Sequence, residues 1–305
     1  MAPQRVIFAH LPGHENSGAK RMRCDQLANI ARAHLSAARW SFEVMSLPPA
    51  GKPGRQRLLV DDVSGAVVIF LKRAWKVLDA DNLARWRDAA RAFAVDYVDA
   101  PATPLPEVSV DLHIASSGAL EKHLKTIGRH PIVRIDHHAD PRLAPTGRFS
   151  AFRAGYFGRA GNVTLPQELT SRIAQHSISD GRIGDDILEH MSGTALHYAV
   201  RAVPSAAERD WFKPFTKGFN AAAVGAHVLV NKGVDDAEDW LGADYPFLVE
   251  STEPDAIAAV LDQADSIFGT SAWAEAQEPL LQMLQIVQPI RIAAQLERAL
   301  DSALA

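Results

Sequence analysis

Apolar positions along the chain fall into short continuous runs separated by longer stretches of helical period, a pattern that predicts βα units on a parallel sheet. In the first half, a strand at residues 5–10 (RVIFAH) ends in a Pro/Gly loop, and Ser17 is placed to cap a helix reaching about residue 37. Cys24, Leu27, Ala28, Ala31 and Leu35 form its apolar stripe, which leaves Arg23, Asp25, Gln26, Asn29 and Arg32 on other faces. Strands follow at 41–47 (SFEVMSL) and 65–72 (GAVVIFLK), the second an unbroken apolar run of the kind buried on both faces. A helix at 79–93 opens on Asp79 and Asp81, and strands at 93–100, 110–117 and 131–138 complete a set of about six.

Residues 139–150 (ADPRLAPTGRFS) have neither period and are rich in Pro, Arg and Gly, so they read as a linker. The pattern then restarts: strand 152–158, helix 166–175 (PQELTSRIAQ), strand 196–202, helix 216–225, strand 227–231, acidic helix 235–242, strand 246–250 and helix 253–264. A long helical tail from Ala272 carries Pro289, whose ring must kink or break it. The expected organisation is an α/β chain of two Rossmann-like parallel-sheet domains, 1–145 and 146–271, facing a cleft, with C-terminal helices 272–305 crossing back onto the first.

Composition narrows the function classes. The 305 residues are 47% hydrophobic and 22% charged, the balance of an ordinary globular chain, which excludes disorder and collagen. A net charge of −4 gives no global attraction to nucleic acid or anionic lipid, so a polyanion would need a local basic site. The lone Cys24 cannot close an internal disulfide, and the first residues do not read as a signal peptide. With no run near the ~20 apolar residues of a membrane helix, the expected setting is cytoplasmic.

The sharpest local signal is KPFTKGFNAAAVGAHVLVN, residues 213–231. Lys213, Thr216 and Lys217 stand at the start of a helix of small residues, where free amides and the positive end of the helix dipole favour an anion by about 0.3–1 kcal/mol before any side chain joins. RIDHHADP places Asp136, His137 and His138 at a strand end and resembles the signature of the DHH phosphoesterases, whose two-metal site would here draw on Asp96 or Asp99. The early loop HLPGHENSG offers no aspartate to complete it, so a place in the cleft or a hinge is the expected use of the three. The acidic group Asp235, Asp236, Glu238 and Asp239 reads as helix-start acids, with Asp236 also placed to touch a sugar hydroxyl. P-loop, GxSxG, CxxC, HExxH and GxGxxG patterns are absent.

Residues 213–261, from the small-residue helix through strand, acidic turn, second strand and closing helix, are similar to the donor-binding half of the metal-independent, two-domain GT-B nucleotide-sugar glycosyltransferases, glycosyltransferase group 1-like. GYFGRAGN resembles the family's glycine-containing loop and brings in Gly158, and LHYAVR ends at Arg201 where the family often has a basic residue near the diphosphate. The loop LPGHENSG resembles the family's first loop under the acceptor, which implies His14 or Glu15 as the base. Without metal, the charge of a departing nucleoside diphosphate must be met by cations, for which Arg153 or Arg159, Arg201, Lys213 and Lys217 are available. The paired glutamates of many retaining members fall on Phe212 and Asn220, of which Asn220 can still hydrogen-bond a ribose or sugar hydroxyl. The resemblance implies sugar transfer from a nucleotide-sugar co-substrate to a small-molecule or glycan acceptor, without metal or nucleic acid. The alternatives are a DHH-like phosphoesterase and a catalytically degenerate binding protein of the same fold.

Overall fold

The structure, a computed structural model, describes residues 2–178, 183–203, 211–234 and 236–305. Among the described residues it divides into two compact units, the first holding 2–137, 211–214 and 289–305 and the second 138–178, 183–203, 215–234 and 236–288. The linker 139–150 therefore belongs to the second unit, and only 289–305 of the C-terminal region belongs to the first.

The first unit runs β1 (Gln4–His10), α1 (Gly18–Lys20), a π-helical stretch Arg21–Gln26, α2 (Leu27–His34), β2 (Trp40–Ser46), α3 (Pro53–Leu58), α4 (Val60–Val63), β3 (Val67–Leu71), α5 (Ala80–Ala89), β4 (Ala92–Asp96), β5 (Leu112–Ala115), α6 (Gly118–Thr126) and β6 (Ile132–Arg134). All its strand pairs are parallel, in the order β2-β1-β3-β4-β5-β6. Every residue of β3 and β4 is buried, as their apolar runs require. Phe70 of β3 meets Phe93 of β4 edge-on at 5.0 Å, and the buried Trp86 of α5 covers Phe70 while its indole N–H donates to the Gln56 carbonyl at 3.1 Å.

One departure from the expected stripe matters. Arg23, expected away from the core, is only 1% exposed. The π-helical stretch adds residues to the turn and rotates Arg23 inward, where its Nε donates to Asp96 at 2.7 Å and its Nη1 to the carbonyls of Ile135 and Asp136 at 2.8 and 3.1 Å.

The second unit contains β7 (Ala154–Gly158), β8 (Ile173–Ser177), α7 (Asp185–Ser192), β9 (Leu196–Tyr198), α8 (Thr216–Val224), β10 (His227–Asn231), α9 (Ala237–Leu241), β11 (Leu248–Val249), α10 (Pro254–Ile267), α11 (Ser271–Glu275) and α12 (Glu278–Ile286). Its parallel sheet has the order β11-β10-β9-β7-β8. The helix expected at 166–175 does not form: a short 3-10 turn at Gln167–Leu169 leads into β8, an edge strand with only Ile173 buried. The expected C-terminal group also divides. Pro289 opens α13 (Pro289–Leu304), so α12 packs on α8 and α9 in the second unit, whereas α13 packs on α2 and β6 in the first. Gln295 of α13 accepts the Asp136 amide at 2.7 Å and donates to the Asp136 carboxylate at 3.0 Å, which satisfies two buried groups at once. No helix among the described residues is long and apolar enough to cross a membrane.

Three buried histidines set an acid limit. His113 lies against Tyr97, whose hydroxyl is 2.8 Å from Nδ1; His197 donates to the Met191 carbonyl; and His227 sits among Tyr245, Phe247 and Trp273 and donates to the Trp273 carbonyl. Burial pushes each imidazole down to about 4. Between pH 6.5 and 4 the unfolded chain therefore binds more protons than the folded one, and stability rises with pH by up to about 1.4 kcal/mol per pH unit for each histidine. Urea unfolding measured from pH 7 down to pH 5 should show a steeper loss in the second unit, which holds two of the three, and His227→Gln should flatten that slope. An unchanged slope in the variant would remove His227 as a source of the effect.

Candidate functional site

In an open parallel sheet, ligands bind outside the carboxyl ends of the strands where successive connections leave in opposite directions. In the second unit β7 connects to β8 on one side, and β8 returns to β9 on the other, so that point lies between β7 and β9. The residues that end these strands are Gly158 and, after Tyr198 and two buried residues, Arg201. The start of α8 follows at this edge, because a helix linking parallel strands runs back antiparallel to them.

Packing builds the site in detail. The side chain of Phe215, the N-cap residue of α8, folds over the first turn, and an added Cβ at Gly218 would lie 2.0 Å from its ring. Lys217 extends over the Tyr156 ring, its Nζ 5.4 Å from the centroid. Gly158 leaves room for this: a Cβ there would lie 2.6 Å from the Tyr156 hydroxyl and 3.5 Å from Lys217 Cε. The Tyr156 hydroxyl donates to the Arg159 carbonyl at 2.6 Å, which holds the turn after β7, and burial pushes that phenol up to about 12, so it stays protonated. The Arg201 amide donates to Asn231 Oδ1 at 3.1 Å, tying the end of β9 to β10. The C-terminal end of α8 closes on Gly225, whose φ of 78° suits glycine.

The residues expected from sequence separate into several groups. Gly158, Arg159, Arg201, Thr216 and Lys217 come together at the carboxyl edge of this sheet. Arg153 does not: it precedes β7 and its carbonyl accepts from Leu196 at the start of β9, so it sits at the opposite edge. Lys213 belongs to the first unit, where the neighbouring Phe212 ring packs 5.0 Å from His123 of α6. Asn220 is buried and its Oδ1 accepts the Asp140 amide at 2.9 Å, while Asp140 pairs with Arg142 at 2.8 Å, so this oxygen secures the linker. Asp236 follows β10 in a left-handed conformation, φ 57°, just before α9. Asp235 lies outside the described residues. Sequence reasoning does not find Tyr156, the platform for Lys217, since an aromatic in an apolar run carries no mark of what it faces.

In the first unit β1 connects to β2, and β2 returns to β3 on the far side, so the corresponding point lies between β1 and β3. The loop after β1 carries His14 and Glu15, both exposed. Its own amide and that of Gly13, which donates to Oε1 at 3.1 Å, hold the Glu15 carboxyl below the ordinary range.

The donor set required by a DHH-like phosphoesterase does not form. Asp96 is neutralised by Arg23 and also accepts the Val98 amide at 3.1 Å, and Asp136 pairs with Arg134 at 3.0 Å and with Gln295. Among the described residues no group of three or more His, Cys, Asp and Glu is arranged to hold a metal ion. Asp136, His137 and His138 are buried instead where the chain passes from one unit to the other.

No protein-family model and no curated protein matches the sequence. Solved structures do. Sucrose-phosphate synthase from Thermosynechococcus elongatus is similar over 98% of both chains, with TM-score 0.65 and 12% identity. AviGT4, a glycosyltransferase involved in avilamycin A biosynthesis, is similar over 99% of this chain and 98% of its own, with TM-score 0.61 and 15% identity. The apo structure of OtsA is similar over 99% of both chains, with TM-score 0.57 and 9% identity. At these identities the likeness speaks for the backbone alone. Two parallel α/β sheets of six and five strands, matched over nearly the whole chain by such structures, give this protein the GT-B glycosyltransferase fold.

Proposed function

We propose that the chain is a glycosyltransferase that moves a sugar from a nucleotide-sugar donor to an acceptor hydroxyl without a bound metal. The observation that carries this reading is the basic carboxyl edge of the second sheet, with Lys217 on the first turn of α8 above Tyr156, Arg159 after β7 and Arg201 after β9. A diphosphate leaving group gains negative charge as the sugar departs, and oriented amides with two or three cations stabilise that charge most where it develops. Arg201 and Lys217 take this role, and Arg159 adds charge from the loop. If configuration is inverted, the acceptor proton goes to His14, because Glu15, held in its anionic form by two amides, is the weaker base.

The test is thermal stabilisation by UDP and GDP with EDTA present, in wild type and Lys217→Ala. A nucleotide at a hundredfold its dissociation constant stabilises by about 2.7 kcal/mol, and the variant should lose most of that shift. No shift in the wild type with any nucleotide would overturn the reading. A second reading, a nucleotide-sugar-binding protein that has lost transfer, draws on Phe212 and Asn220 at the positions of the family's acids. Release of nucleoside diphosphate from a bound nucleotide-sugar decides between the two.

A further inference from the structure

Resting on the sugar-transfer reading, we infer that Lys72 and Asp99, in the first unit, grip the acceptor, and that the acceptor is a neutral, polyhydroxylated molecule. The two residues end adjacent parallel strands. Lys72 follows β3 directly and Asp99 lies three residues beyond β4, at the carboxyl edge and beside the β1/β3 point where the connections diverge.

Both residues are non-glycine yet hold left-handed backbone, with φ of 57° for Lys72 and 48° for Asp99. Such conformations persist only where the surroundings enforce them, and they gather where a side chain must be aimed. Here the Lys72 amide donates to the Asp96 carbonyl at 2.7 Å, and the Ala100 amide to the Tyr97 carbonyl at 3.1 Å, so both turns are pinned.

The Lys72 ammonium lies 3.7 Å from the Asp99 carboxylate, with each side chain about one-third exposed. That spacing is too long for a hydrogen bond. It leaves room for a hydroxyl oxygen about 2.8 Å from each, accepting from the ammonium and donating to the carboxylate. A balanced cation and anion favour a neutral polyol over a phosphate or carboxylate. Arg73, the next cation along, keeps its charge and directs its guanidinium to the Thr103 carbonyl.

The experiment is saturation-transfer NMR with D-glucose, maltose, sucrose and D-glucose 6-phosphate, with and without nucleotide, on wild type, Lys72→Gly and Asp99→Asn. Both substitutions suit left-handed backbone, so the melting temperature should hold or rise. The wild type should bind at least one neutral sugar, and each variant should bind it at least tenfold more weakly while keeping any nucleotide shift. The inference is overturned if no neutral sugar binds, if only the sugar phosphate binds, or if the variants bind the sugar as the wild type does. Nucleotide binding is read separately, so failure here leaves the donor reading standing, and a missing nucleotide shift sinks that reading instead.

Discussion

Asp96→Ala is expected to destabilise the first unit by about 3–5 kcal/mol, the usual loss when one partner of a buried ion pair is removed and the other charge stays buried. Among the described residues Arg23 Nε bonds Asp96, its Nη1 bonds two neutral carbonyls, and its Nη2 has no hydrogen-bond partner. The side chain is fully buried, so water cannot take over. Urea unfolding followed by a signal from Trp86, buried in that unit, measures the loss. The paired replacement Arg23→Met with Asp96→Leu should recover most of it, since apolar groups of similar volume often match or exceed a buried pair. If Asp96→Ala alone costs less than about 1 kcal/mol, the pair contributes little and the π-helical turn owes its shape to something else.

Gly218→Ala is expected to destabilise the second unit by about 1–3 kcal/mol or more, although glycine to alanine inside a helix ordinarily gains up to about 1 kcal/mol. The reversal comes from Phe215, whose ring atoms lie 2.0 to 2.4 Å from where the new Cβ would stand. Phe215 is buried and meets Phe219 edge-on at 6.0 Å, so the ring cannot swing out freely. The start of α8 would have to shift, and with it Lys217, so the nucleotide shift should weaken together with stability. Adding Phe215→Ala removes the clash, and in that background Gly218→Ala should be neutral or stabilising. A stabilising Gly218→Ala in the otherwise native chain would show that α8 does not start as described.

Parts of the fold and of the site are legible in the order of residues alone. The strands β1, β3 and β10 can be read because their central side chains are buried on both faces, which leaves a short unbroken apolar run bounded by polar or turn residues. Lys217 and the helix it opens can be read because a basic helix start made of small residues has a direct electrostatic meaning. The edge strand β8 reads as helix because only one of its five residues is buried, and its Gln, Ala and Arg surroundings favour helix locally. Helical arithmetic puts Arg23 outside because it assumes about 3.6 residues per turn, and the π-helical stretch breaks that count. Arg153 and Arg159 are only six residues apart, yet a strand between them carries them to opposite edges of the sheet.

The linear chain suffices for the alternation of strand and helix, the restart that makes two sheets, and the basic helix start, because each depends on the period and charge of neighbouring residues. Strand order, and with it the two points where ligands meet a parallel sheet, depends on which strands pair across long stretches of chain. The Lys72–Asp99 pair joins residues 27 apart through two left-handed turns that no local preference announces. The Asn220 contact to Asp140 spans 80 residues and ties the linker to α8. These belong to the folded molecule, because hydrogen bonds and ion pairs form between groups that are close in space, and closeness in space is set by the packing of the whole unit.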